Sequence, residues 1–138
     1  MSDQNEWNRQ VIEEFRANEG KVGGFFENAT LLLLHTTGAK SGKERINPLM
    51  YLEDDGRYVI IASAGGAQNH PDWYYNVVAN PLVDVEMGTE EFQARATVTD
   101  EPERTELYAT VGARYPNFIE YQEKTDRVIP VITLERLP

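Results

Sequence analysis

Six short runs of apolar or alternating residues, separated by glycine- and aspartate-containing turns, constrain this chain more than any other feature. Thr30–Thr36 is a run built on four consecutive leucines, Arg45–Glu53 alternates in character, and the Asp54-Asp55-Gly56 turn leads into Arg57–Ser63. Val83–Met87 and Glu91–Thr99 flank Gly88, and Phe92, Ala94, Ala96 and Val98 alternate with Gln93, Arg95 and Thr97, which predicts one wet face. Val128–Leu134 is the sixth run. Its Pro130 predicts an edge strand or a late joiner, because proline cannot donate to a ladder. Strands joined by short turns pair antiparallel, since parallel neighbours need long crossovers. The expected fold is mainly β (α+β): a six-stranded antiparallel barrel, closed or half-closed, with peripheral helices.

Three segments predict helices. Asp3–Asn18 sets Trp7, Val11 and Phe15 four residues apart with Ile12 beside them. The polar face of this helix is net acidic, whereas membrane-lying helices favour Lys and Arg, so it is expected to pack on its own barrel. Gly20, Gly23 and Gly24 then form a joint before Phe25 and Phe26. Pro71 and Asp72 suit the first turn of a helix reaching about Asn80, and Asp100 with Glu103 resembles a capping box opening a helix over Glu101–Tyr115. The expected division is a helix and joint over residues 1–22 and one barrel over 23–138.

Composition narrows the chemistry. A chain of 138 residues that is 41% hydrophobic fits one core. Its net charge of −10 repels phosphate backbones and argues against nucleic-acid binding. With no cysteine there is no thiolate nucleophile, disulfide or Cys-ligated metal, and the two histidines show no metal-ligand spacing. No run reaches the roughly 18 apolar residues needed to span a bilayer, and Met1–Gly20 lacks the apolar block of a signal peptide, so a cytoplasmic location is expected.

Two segments stand out as candidates for chemistry. Thr36–Arg45 places Lys40, Lys43 and Arg45 with several hydroxyls on a glycine-rich turn, where the backbone can approach an anion and the cations can hold it; a solvated hairpin loop is the plainer reading. It is not a Walker A loop. Ala62–Asn76 joins a small-residue loop to an aromatic helix start, and loop amides and helix N-termini offer unpaired donors. Trp73, Tyr74 and Tyr75 cannot all face one core from successive helical positions. His35 reads as a satisfied core or rim histidine; His70 could cap the following helix or act in catalysis.

Together, Leu33–Leu49 (through His35-Thr36-Thr37-Gly38-Ala39-Lys40-Ser41-Gly42-Lys43-Glu44-Arg45-Ile46-Asn47-Pro48) and Gly65–Asn76 (Gly65-Gly66-Ala67-Gln68-Asn69-His70-Pro71-Asp72-Trp73-Tyr74-Tyr75-Asn76) resemble the deazaflavin (F420)-dependent nitroreductase family, which includes the F420H2-dependent quinone reductases. The likeness extends through Ala79-Asn80-Pro81 to Tyr121–Pro130. It implies an FMN-binding-like split β-barrel with reduced coenzyme F420 as hydride donor and quinones or other activated acceptors as substrates. By the same resemblance, Ala39, Lys40, Ser41, Lys43 and Arg45 would hold the cofactor's phosphate and polyglutamate tail. Arg45, Ile46, Asn47, Pro48, Leu49 and Met50 would run along the deazaflavin, and Ile61, Ala62, Ser63 and Ala64 would offer it backbone donors. Asp72, Trp73, Tyr74, Tyr75 and Asn76 would close the pocket. Tyr115, Phe118 and Tyr121 would border the acceptor, and Ser63, Tyr74 or solvent would supply a proton. An acidic cofactor explains a cationic turn in an acidic protein. The chain departs from the family pattern at Ala39, Ala64 and Met50, where many relatives have Arg, Lys and Tyr, and at Phe118, where the nitroimidazole-reducing branch has tyrosine.

Two other functions use the same pocket: an FMN-binding split-barrel oxidoreductase, and a non-catalytic F420 carrier. The expected partner is a small-molecule acceptor, the expected state a monomer. A lipid-borne quinone would bring the protein to the inner face of the cell membrane.

Overall fold

The computed structural model describes residues 3–23 and 30–138; Gly24, read above as part of the joint, and Phe25 and Phe26 after it lie outside the described residues. Helix α1 (Asp3–Ala17) precedes strands β1 (Leu31–Thr37), β2 (Glu44–Met50), β3 (Leu52–Asp54) and β4 (Arg57–Ile61). A 3-10 turn at Ala64–Gly66 leads to α2 (Asp72–Ala79), the hairpin β5 (Leu82–Met87) and β6 (Glu90–Val98), helices α3 (Glu103–Arg114) and α4 (Asn117–Glu123), and β7 (Val131–Arg136).

The strands form one seven-stranded antiparallel sheet in the order β2-β1-β5-β6-β7-β4-β3. Its two edge strands, β2 and β3, are consecutive in the chain with only Tyr51 between them. Laid flat, six steps of ~4.8 Å would part the edges by roughly 29 Å, yet Met50 and Leu52 stand no more than ~7 Å apart along the chain. The sheet therefore curls into a half-barrel whose edges meet at the Tyr51 corner, where the Tyr51 amide donates to the Thr30 carbonyl at 3.2 Å.

That corner accounts for seven strands where six were expected. The Arg45–Glu53 run serves both edges and breaks at Tyr51 to do so. A second correction concerns Pro130. The last strand lies between β6 and β4, not at an edge, because it starts at Val131; the proline precedes the ladder and contributes only its carbonyl, which accepts from the Ala62 amide at 3.0 Å. The expected capping box also fails. Pro102 occupies the N-cap of α3, and Glu101 Oε1 accepts from the Thr105 amide (3.0 Å) and hydroxyl (2.7 Å) instead. Helix α4 had no counterpart in the sequence reading.

Alternation decides what each strand buries. Leu32, Leu34, Ile60, Val85, Ala94, Ile132 and Leu134 fill the inside of the curl with Trp73 and Val77 of α2. Leu31 and Leu33 face the other way onto Val11 and Phe15 of α1, and Val59, Ile61 and Val131 lie under Leu107, Tyr108, Val111 and Phe118 of α3 and α4. Strands covered on both faces are therefore continuously apolar. Each fully buried Leu or Ile contributes about 1.5–3 kcal/mol relative to exposure. The wet face of β6 is as expected for Phe92, Ala94 and Ala96, which are buried, and Gln93, Arg95 and Thr97, which are exposed; Val98, expected on the buried face, departs from it at the strand's end, 38% exposed.

Candidate active site

Hydrogen-bond register leaves an opening beside the Tyr51 corner. Along β4 the amides alternate in direction: Ala62 donates to Pro130 on the β7 side, so those of Ile61 and Ser63 point the opposite way. On that side β3 stops at Leu52, whose partner is Val59. A groove of about 1660 Å³ begins there and runs along β2 to the Gly38–Ser41 turn. Trp7, Ile12 and Arg16 of α1 wall one side; Pro71–Trp73, Tyr75 and Asn76 wall the other, and Asn117, Phe118 and Tyr121 of α4 stand at its β4 end.

The cationic turn is a built loop. The Gly38 amide donates to the Lys43 carbonyl at 2.8 Å, Gly42 to Gly38 at 3.0 Å, and Lys43 to Ser41 Oγ at 3.2 Å. Gly42 adopts φ +71°, the left-handed region that favours glycine. Buried Asn76 ties the turn to α2: its Oδ1 accepts from the Ala39 amide at 2.9 Å and its Nδ2 donates to Thr36 Oγ1 at 3.0 Å. The Lys40 and Ser41 amides donate to no protein group among the described residues.

At the other end, the loop after β4 is left-handed at three consecutive residues, Ala64 (φ 49°), Gly65 (φ 64°) and Gly66 (φ 88°). The Ser63 and Ala64 amides likewise donate to no protein group among the described residues. Behind the loop sits Arg127, which donates to the Ala62, Ser63 and Ala67 carbonyls and to His70 Nδ1. Burial, then the Arg127 charge, holds the His70 pKa below its ordinary value.

The wall formed by α1 is held by a charged cluster. Arg16 donates to Glu86 at 3.0 and 2.6 Å, and His35 pairs with Glu86 through Nε2 and with Glu44 through Nδ1 at 3.2 Å. Burial opposes charge on His35, but the hydrogen bonds to Glu86 and Glu44 outweigh it and its pKa is raised. Glu86 is held below the carboxylate range chiefly by Arg16. His35 is a satisfied rim histidine.

Of the residues put forward from the sequence, the groove brings together Ala39, Lys40, Ser41, Arg45 to Met50, Ile61, Ser63, Ala64, Asp72, Trp73, Tyr75, Asn76, Phe118 and Tyr121. Four stand outside its lining. Lys43 points its carbonyl into the turn, and buried Ala62 has its amide and carbonyl engaged by Pro130 and Arg127. Half-buried Tyr74 packs on the inner core and stacks on His70 at 4.6 Å. The Tyr115 hydroxyl accepts from the Thr30 amide at 3.0 Å and closes a structural clasp. Trp73 sinks into the core at 5% exposure, whereas Tyr75 is 49% exposed. Sequence reasoning missed the groove face of α1, Asn117, and the part played by Arg127. The stripe of α1 was visible, but nothing in it says which residues face a cleft.

Residues 7–136 match the family model described as F420H(2)-dependent quinone reductase. The chain belongs to this family. An F420H(2)-dependent quinone reductase of Mycobacterium tuberculosis is 37% identical over 126 residues, 88% of this chain and 85% of that protein. A solved F420-H2 dependent reductase is 45% identical with a TM-score of 0.70, covering 76% of this chain and 93% of that one. Another solved structure, described as a domain-swapped dimer, is 39% identical with a TM-score of 0.72 and covers 96% and 100% of the two chains. As a member of the F420H2-dependent quinone reductase family the chain is an oxidoreductase with F420 as its hydride donor. Among the described residues no group of His, Asp and Glu could hold a metal ion, and no helix is long and apolar enough to cross a membrane.

Proposed function

We propose that the protein binds reduced F420 in the groove along β2 and passes its hydride to a quinone or another activated organic acceptor. One observation carries this reading: the two ends of a single groove hold donors of different kinds that have no protein partner among the described residues. Exposed Lys40 and Arg45 with the Lys40 and Ser41 amides form one end, and the Ser63 and Ala64 amides beside apolar Met50, Trp73 and Phe118 form the other. A long cofactor with an anionic tail and a flat ring edged by carbonyl oxygens fits that donor set.

F420, when bound, supplies the hydride; the protein supplies position and electrostatics. Lys40, Ser41 and Arg45 hold the tail, with Lys43 at the solvated rim. Ile46 to Met50 line the ring's length. Ser63 and Ala64 donate to its oxygens, and Asp72, Trp73, Tyr75 and Asn76 close the pocket. Phe118 and Tyr121 border the acceptor. Holding donor and acceptor at near-attack distance lowers barriers by roughly 7–11 kcal/mol in favourable models. Ser63, which lines the groove, or groove water delivers the proton to the reduced acceptor, with Tyr74 one layer behind. The half-barrel is of the FMN-binding split-barrel type and acts as a cytoplasmic monomer that meets lipid-borne quinone at the inner membrane face.

Purification from a host lacking F420 tests the cofactor. The protein should be colourless and should bind added F420, whereas co-purified stoichiometric FMN would overturn the reading. Binding of F420 with no reduction across a panel of quinones, enones and nitroaromatics would make the protein a carrier.

A further inference from the structure

We infer that Arg127, in the segment between α4 and β7, aims the Ser63 and Ala64 amides into the groove, acting as a positioning residue that never touches the cofactor. This rests on the reading that F420 binds in this groove.

A guanidinium carries five N–H donors, and here each has a partner. Nε donates to the Ala67 carbonyl at 2.8 Å, Nη1 to His70 Nδ1 at 2.9 Å and the Ala62 carbonyl at 3.3 Å, and Nη2 to the Ser63 carbonyl at 2.8 Å and Ala62 at 3.3 Å. In a trans peptide the C=O and the following N–H point in opposite directions. Turning the Ala62 and Ser63 carbonyls onto Arg127 therefore turns the Ser63 and Ala64 amides away from it, to the side where both residues line the groove.

The backbone agrees. Ser63 is right-handed (φ −81°, ψ −33°) and Ala64 left-handed (φ 49°), and that succession makes a concave pair of amides suited to an electron-rich oxygen. A left-handed conformation is unfavourable for a residue bearing Cβ, and such strain persists only where its surroundings over-determine it. The five-bond clamp does so. His70 completes it as an acceptor, a role that needs neutral Nδ1 with the ring proton on Nε2, and the depressed pKa of His70 keeps the ring neutral. Lysine keeps the charge but lacks the planar fork that reaches four acceptors at once.

Arg127→Lys provides the test, read by amide hydrogen exchange over residues 62–70 in cofactor-free protein and by fluorescence titration with F420. In the folded variant, loop exchange should quicken and the F420 Kd should rise, each about tenfold or more, as expected for lost charge-assisted hydrogen bonds, while exchange in the 38–45 turn stays at the parent's rate. Loop exchange and Kd both within twofold of the parent would overturn the inference. Should Arg127→Lys fail to fold, His70→Leu and His70→Gln take its place: Leu removes one acceptor and should raise exchange and Kd about threefold, Gln should restore both, and Leu values equal to the parent's would overturn it. A parent that does not bind F420 would defeat the proposed function, and loop exchange alone would then decide the role of Arg127.

Discussion

Two tyrosines, each three residues from Phe118, show what a single residue can conceal. Tyr115 and Tyr121 are alike in sequence context, yet Tyr121 lines the groove while Tyr115 spends its hydroxyl on Thr30. Tyr115→Phe leaves a partly buried Thr30 amide without its acceptor, so stability in denaturant should fall by about 1–2 kcal/mol with F420 affinity unchanged. A fall in affinity at constant stability would put Tyr115 in the site instead. His35 carries a pH signature. Its folded pKa is raised above the ordinary 6.5, so its contribution to stability is fully present below that value and is lost as pH rises through the folded pKa. Glu86 has the opposite sign: its pKa is lowered from 4.5, and its contribution is lost as pH falls through the depressed value. Denaturant unfolding from pH 6.5 upward through the raised folded pKa should therefore show the parent losing stability, and His35→Gln should flatten that slope; an equally steep slope in the variant would show that His35 is not the titrating group.

Elements were legible wherever a local pattern decided them. The Asp55-Gly56 turn, with φ of 52° and 81°, is the hairpin turn its residues require, and β6 wets the face its alternation predicts. Elements decided by distant partners were not. The break at Tyr51 exists because one run must serve both edges of a curled sheet. Pro130 misled because a strand's limits depend on what its neighbours offer, and α4, only Asn117–Glu123, is too short for a helical period to be read. Its hold comes from outside: the buried Tyr108 hydroxyl donates to the Phe118 carbonyl. The cationic turn was legible as a cluster of charge, although its tie to Asn76 was not. Replacing Lys40 or Arg45 with Ala should weaken F420 binding by about 1.5 kcal/mol, the low end for charged hydrogen bonds because both residues are exposed. Lys43→Ala should cost less, and parent affinity should fall with rising salt. Unchanged affinity in a folded Lys40→Ala, Arg45→Ala double variant would leave the turn a solvated hairpin.

At the scale of the molecule, the groove is where a curled sheet fails to close. Beyond the Tyr51 corner the groove runs between α1 and the Pro71–Asn76 segment, with α4 at its β4 end. An acidic chain of net charge −10 then keeps local cations at one end of the groove, where an anionic cofactor can be held against the overall field. The account stands on hydride transfer in that groove. The direct measurement is anaerobic mixing of reduced F420 with menadione, with and without protein, followed by the return of oxidised deazaflavin absorbance. Reoxidation should rise in proportion to protein and saturate with quinone; tight F420 binding with no rate above the protein-free mixture would contradict it.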